Sequence, residues 1–462
     1  MRRLLLLPAM LLAACQSSPL VAPEVAVPQQ WPHRAGATAA AEASSLADQP
    51  WAQVFPVPEL NALVDEALAG SSDLLIAVER VELARAQYGL ERSVLFPAVD
   101  VGGSATRQRT PGAKPDRNSI SESSSLSLGV SAWEIDLWGK LAARTEAARR
   151  DVLANEALVE AVRISLVAQV SSLYLDLLDL DNQLGITRRT LEGRQKSLQI
   201  TRARFREGIS SILDVRQVES LVASSERALA EQQRRSAQAE NALSVLLGRN
   251  PGPIARSARL DALALPPGVM AGLPSELLER RPDIRAAEES LRGADANIEA
   301  ARKAFLPNLA LTGAVGYASP ELGDLLDSGR YAWSLQPALA LPLFNAGRLR
   351  AGVEQAQAQQ RILVEQYKAT IRQAFREVSD ALVAFEQLGL QLEASRRVEA
   401  ANRERLRLTK ARYLAGITGY FEVLDAERQL FDSELEVSAV TRATHQSVVQ
   451  LYRALGGGWR AQ

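Results

Sequence analysis

Slid along itself by 208 residues, this chain falls back into step. Ala203-Arg204-Phe205 lies over Ala411-Arg412-Tyr413, Gly208-Ile209-Ser210 over Gly416-Ile417-Thr418, and Leu247-Gly248 over Leu455-Gly456. The same offset joins Val170-Ser171 to Val378-Ser379 and Gly139-Lys140-Leu141 to Gly347-Arg348-Leu349, whereas Phe96-Pro97 matches Leu306-Pro307 at 210. Chance does not hold one offset for over a hundred residues, so the fold must be assembled from two like units. The first is expected at 58–251, the second at 275–462, with a linker at 252–274.

Inside each unit the hydrophobic period switches. Val99, Val101, Gly103 and Ala105 alternate with polar or small residues, as do Leu126, Leu128, Val130 and Ala132, which is the period of a strand with one wet and one apolar face. Thr110 to Ser123 reads as the exposed loop between them. The second unit repeats this with Leu309, Leu311, Gly313, Val315 and Tyr317, then Trp333, Leu335, Leu339 and Leu341. Each unit therefore supplies a hairpin, at about 97–138 and 307–343. From Gly139 and Gly347 onward apolar residues recur by threes and fours, and no proline occurs from Asp116 to Asn250 or from Leu343 to the end. A helix from Gly139 to Phe205 would be about 100 Å long, the length of a coiled-coil rod. Gly208 and Gly416 are the expected turning points, after which 209–247 and 417–455 run back as second helices. Shorter helices are expected from Pro58 to Phe96 and from Ser275 to Leu306, the latter with Ser275 and Asp283 as candidate caps.

The amino terminus reads as an address. Arg2 and Arg3 precede an apolar stretch, Leu4 to Ala14, too short to span a bilayer but suited to an export signal. It ends in Leu12-Ala13-Ala14-Cys15, which resembles the lipobox of bacterial lipoproteins. That likeness implies cleavage of residues 1–14, acylation of Cys15, and, with Gln16 following, sorting to the outer membrane. The alternative is an ordinary signal peptide followed by a free thiol. Residues 15–57, rich in Pro, Ala and Ser, are expected as an extended tether. With 53 basic against 54 acidic residues there is no field to hold nucleic acid, and two histidines and one cysteine leave almost nothing for a metal cage or an internal disulfide. No acid-base constellation suggests an enzyme, and no phosphate loop or cofactor fingerprint is present.

Strands of roughly ten residues with an apolar face match the length of tilted barrel strands in a bilayer. Four strands cannot close, and open edges in lipid leave backbone groups unpaired at several kcal/mol each, so further copies must complete the barrel. Two chains would give eight strands and three would give twelve; periodicity alone does not choose. A soluble sandwich flanked by helical bundles is the plainer alternative.

Several stretches resemble the OprM/TolC class of outer-membrane efflux ducts, most closely its lipidated multidrug branch. They are Gly272-Leu273-Pro274-Ser275-Glu276-Leu277-Leu278-Glu279-Arg280-Arg281-Pro282-Asp283-Ile284, Phe305-Leu306-Pro307, Trp133-Glu134-Ile135-Asp136-Leu137-Trp138-Gly139, and the ending Leu451 to Trp459. The resemblance implies a mostly α fold with a small β part: a homotrimer whose twelve strands form a transmembrane β-barrel, continued by a long coiled-coil helical barrel through the periplasm. It implies the exit duct of a tripartite multidrug system, passive and without cofactor. Its partners would be a periplasmic adaptor (membrane fusion) protein, an inner-membrane RND-type transporter and outer-membrane lipid. It also places a periplasmic gate at Phe421, Asp425 and Arg428, with Phe421 where the family usually has leucine. Their spacing of four and three residues lets all three share one helix face. Phe421 is expected to form an apolar plug, Asp425 an acidic ring able to hold cations, and Arg428 to tie the closed state. Adaptor contact is expected at the hairpin tips, through Gly208, Ile209, Ser210, Asp214, Gly416, Ile417, Thr418 and Val423. The bland readings are an Asp–Arg pair on a solvated helix and ordinary glycine turns. The rival functions are a lipidated coiled-coil adaptor that conducts nothing, and a type I secretion or metal-efflux duct of the same fold.

Overall fold

The computed structural model describes residues 28, 31, 46–111, 119–266 and 274–457, so Cys15 and the lipobox lie outside the described residues. The helices are α1 (Trp51–Val54), α2 (Pro58–Gly70), α3 (Ser72–Ser93), α4 (Lys140–Arg206), α5 (Ile212–Leu246), α6 (Leu277–Arg280), α7 (Pro282–Lys303), α8 (Arg348–Leu414) and α9 (Tyr420–Ala454). The strands are β1 (Asp100–Thr110), β2 (Ser119–Ile135), β3 (Asn308–Ser319) and β4 (Tyr331–Ala340). The starts and ends of α4 and α8, and of α5 and α9, are each displaced by 208 residues. Those of α3 and α7 are displaced by 210.

Two compact units cut across this repeat, each drawing segments from both copies: one takes Arg80–Glu156 and Ala286–Lys368, the other Val25–Glu79, Ala157–Arg285 and Ala369–Gln462. The first unit holds the sheet. Its four strands lie in the order β1-β2-β3-β4, all antiparallel. The register lines up Val101, Leu128, Val315 and Trp333 in one row, and Gly103, Leu126, Tyr317 and Tyr331 in the next, so one face is apolar across the full width. Rows such as Gly102, Ser127, Gly316 and Ala332 occupy the other face. The apolar face is bare: Val101, Trp333, Leu335 and Leu339 are 60–73% exposed. A soluble sandwich buries such a face against a second layer, and among the described residues none covers this one.

The hairpin differs from the sequence reading in two places. Ser119 to Ser123, expected in a loop, are strand, because pairing with Thr106 to Thr110 satisfies their backbones despite their polar side chains. Ala132 does not continue the alternation. It sits in a bulge at φ +49°, its amide donating to the Thr312 hydroxyl at 3.1 Å, and the extra residue lets Trp133 take the apolar row opposite Leu311.

The second unit has its core where α4 meets α9. Val170, Tyr174, Leu175 and Leu177 on α4, with Val448, Val449 and Leu451 on α9, are 0% exposed. Part of the apolar run of α4 is thus core packing, although the helix is long and apolar enough to cross a membrane by length and composition. Polar groups tie the same seam: Ser438 donates to Asp179 at 2.5 Å and Arg442 to Asp176 at 2.5 Å.

The short helices expected as single pieces are each broken once. After Gly70 the chain turns extended at Ser71, where Gly70 and Gly248 approach so closely that a Cβ on Gly248 would lie 1.9 Å from the Gly70 carbonyl oxygen. The second break falls at Arg281, extended at ψ 121° because Pro282 follows it. Asp283 is therefore inside α7 rather than its cap, and Ser275 lies in a 3-10 turn (Pro274–Glu276). Arg281, 7% exposed, instead binds Asp283 at 2.6 Å, Glu377 at 2.8 Å and the Ala454 carbonyl at 3.0 Å.

Candidate functional site

Two regions hold the features expected to matter for function: the turns of the long helical hairpins, and the sheet edges.

Both helical hairpins turn by the same device. Gly208 (φ +72°) and Gly416 (φ +74°) take the left-handed conformation that L side chains resist. The amide of Ile209 reaches back to the Arg204 carbonyl at 2.8 Å, and that of Ile417 to the Arg412 carbonyl at 2.9 Å. This leaves Ile209 and Ile417 standing out, 71% and 65% exposed. The restart differs between copies. Ser211 and Asp214 form a reciprocal capping box at the start of α5, the Asp214 amide donating to the Ser211 hydroxyl at 3.2 Å and the Ser211 amide to Asp214 at 2.9 Å. Asp214, expected at a partner surface, is thus engaged in holding its own helix. The equivalent cap of α9 is Gly419, which has no side chain to accept. Ser210 donates to the Thr201 carbonyl at 3.2 Å, whereas the Thr418 hydroxyl is buried without a partner among the described residues. Val423 corrects the sequence reading: it is 2% exposed, on the inward face of α9 beside the buried Leu424 and Ala426, and offers nothing to a partner.

Just above the second turn the expected gate residues come partly together. Asp425 accepts from Arg428 at 2.8 Å, from Arg405 at 2.8 Å and from Gln429 at 2.9 Å. Arg405 also donates to Gln429. The Arg428 guanidinium, then that of Arg405, holds the Asp425 carboxyl below the usual carboxylate range, and Asp425 raises Arg428 in turn. Within this protomer one Asp425 carboxylate is held by two guanidiniums. Phe421 stands clear of the cluster, 65% exposed. Arg405 escaped the sequence reading because it lies on the other arm of the hairpin. Its signal was present: Arg405 and Asp425 stand at similar distances on either side of Gly416, so antiparallel helices bring them level.

The internal repeat separates what the hairpin needs from what it does not. Arg202 binds Glu219 at 2.8 Å, and their counterparts Lys410 and Glu427 bind at 2.8 Å, so this pair belongs to the hairpin itself. The counterparts of Arg405, Asp425 and Arg428 are Ser197, Gln217 and Ser220, which form no such cluster. The charged cluster is an addition to one copy, not a requirement of the fold.

At the other site, β1 and β4 have one neighbour each among the described residues, leaving a row of backbone donors and acceptors open on both sides of the sheet.

A family model described as outer membrane efflux protein matches residues 63–249 and 273–457. The antibiotic efflux pump outer membrane protein ArpC of Pseudomonas putida is 39% identical over 459 residues, covering 98% of this chain and 95% of its own. Outer membrane protein OprJ of Pseudomonas aeruginosa is 37% identical over 469 residues with the same coverage. The open state of the MtrE outer membrane channel of Neisseria gonorrhoeae superposes with a TM-score of 0.87 at 32% identity, covering 96% of this chain and 98% of that one.

Proposed function

Because the chain belongs to the outer membrane efflux protein family, we propose that three copies close their sheets into one twelve-stranded barrel and serve as the exit duct of a tripartite multidrug efflux system. The single observation that carries this reading is a four-stranded sheet with a bare apolar face and two open edges. Lipid covers the face, and only neighbouring copies satisfy the edges. Eight strands give a barrel filled by its own side chains, whereas twelve leave a lumen, which a duct needs. Acylation at Cys15 adds an anchor to the same membrane.

The helical hairpins reach toward a periplasmic adaptor, which couples the duct to an inner-membrane RND-type transporter. Ile209 and Ile417, repeated and exposed, are the contacts offered at the tips, with Gly208, Ser210, Gly416 and Thr418 shaping them. Closure rests on the Arg405–Asp425–Arg428 cluster, which draws α9 onto α8, with Phe421 supplying apolar bulk. The test is reconstitution of the purified chain in a planar lipid film. An SDS-resistant, heat-modifiable trimer that conducts ions is the expected result. A monomer in detergent without conductance sinks the duct and leaves the non-conducting adaptor.

A further inference from the structure

The repeat also assigns the contact between copies, on the reading that neighbouring copies close the sheet. Within one chain, β2 pairs with β3, and the helices attached to those strands, α4 after β2 and α7 before β3, pack together. Arg150 on α4 binds Glu289 on α7 at 2.9 Å, and a Cβ on Gly293 of α7 would lie 3.4 Å from the Arg150 Cβ and 3.5 Å from the Ala147 carbonyl oxygen. Between chains, the open edge β4 meets the open edge β1 of the next copy. The helices attached to those strands are α8 and α3, the repeat counterparts of α4 and α7.

The exposure of α3 fits this placement. Ile76, Leu83 and Leu90 stand seven residues apart and are 52%, 71% and 63% exposed, a bare stripe at the spacing of a coiled-coil seam. Their counterparts 210 residues on are Ala286, Gly293 and Ala300, all buried, the two alanines at 4% and 5% exposed. The same helix positions are covered in one copy of the repeat and uncovered in the other. Side-chain size is exchanged across the two junctions. Small Gly293 faces the long Arg150 within the chain, whereas Leu83 would face Ala358, the counterpart of Arg150. We propose that Leu83, flanked by Ile76 and Leu90, packs against Ala358 on α8 of the adjacent copy and forms the helical seam of the oligomer.

The test is disulfide trapping in the full-length chain with Leu83→Cys and Ala358→Cys combined. The in-chain junction sets the counterpart Cβ atoms 3.4 Å apart, close to the separation a disulfide needs. Cys15 stays in every variant, so each single substitution is its own control. Oxidation is expected to give covalent dimers and trimers on denaturing gels, collapsing on reduction, from the double variant alone. A heat-modifiable, conducting trimer without that cross-link overturns the seam while leaving the duct intact. Monomers without conductance overturn both, and a cross-link to a different protein gives the stripe to a foreign partner and overturns the seam. As a second variant, Leu83→Glu should lower the temperature at which the SDS-resistant oligomer dissociates, with helix content unchanged at room temperature. An unshifted dissociation temperature also counts against the seam.

Discussion

Asp425 is shared by two guanidiniums from different arms of one hairpin, so removing either tests the latch from a different side. Replacing Arg405 or Arg428 with Ala is expected to raise single-channel conductance of the purified oligomer, with Asp425→Ala raising it most, since that change releases both arms. Unchanged conductance in all three would reduce the cluster to a surface ion pair of the kind worth little. The same geometry sets a pH sign. A carboxylate depressed by its partners keeps its charge, and the latch its attraction, until pH falls below the ordinary range for aspartate. Closed-state conductance should therefore hold steady through mildly acidic solution and rise only in strong acid. His445 loses its contribution in the same direction but in milder acid. It is 3% exposed, its Nδ1 has no partner among the described residues, and burial pushes its pKa down to about 4. Unfolded, it binds a proton near pH 6.5, so stability is expected to fall as pH drops from 6.5 toward 4, by about 3 kcal/mol at most. A melting-temperature series in that window should lose much of its slope in His445→Gln.

The helical hairpins are where the two copies of the sequence can be compared element by element. Their lengths and turns agree, but the first restarts on a Ser211–Asp214 capping box and the second on bare Gly419. Ser211→Ala should cost about 1 kcal/mol of stability. The converse is open as well. Gly419 has an extended backbone (φ −72°, ψ 159°) and open space around its Cβ position, and Glu422 already stands at the third helical position. Gly419→Ser is expected to stabilise the second hairpin by a few tenths of a kcal/mol, read as a raised thermal midpoint. If it also reduces conductance, the looseness of that restart serves opening.

At the scale of the whole molecule, the proposed barrel and the proposed acylation of Cys15 would give separate holds on the membrane. Because the sheet supplies the span, Cys15→Ala should leave conductance of the reconstituted oligomer unchanged, provided export is arranged by another signal. Loss of conductance would mean that the acyl chains take part in assembly. The seam along α3 places a second requirement on the oligomer, at helix depth rather than in lipid. Leu83→Glu and Cys15→Ala are therefore expected to act independently on oligomer stability.

Much of this was legible in the order of residues alone. Offsets of 208 and 210 fixed two copies, and period-two and period-four apolar spacing sorted strands from helices, because repetition and periodicity are properties of the chain itself. Glycines at the turns were legible for the same reason, since a left-handed turn demands them wherever it falls. What the tertiary structure decided are the matters that depend on which distant residues meet. The bulge at Ala132 exists because β3 sits opposite it, and Arg405 joins Asp425 because two arms lie side by side. Val423 is withdrawn from the surface by the helices packed around it. Hydrogen bonding and burial at those positions are set by neighbours far off in sequence, and no local pattern encodes them.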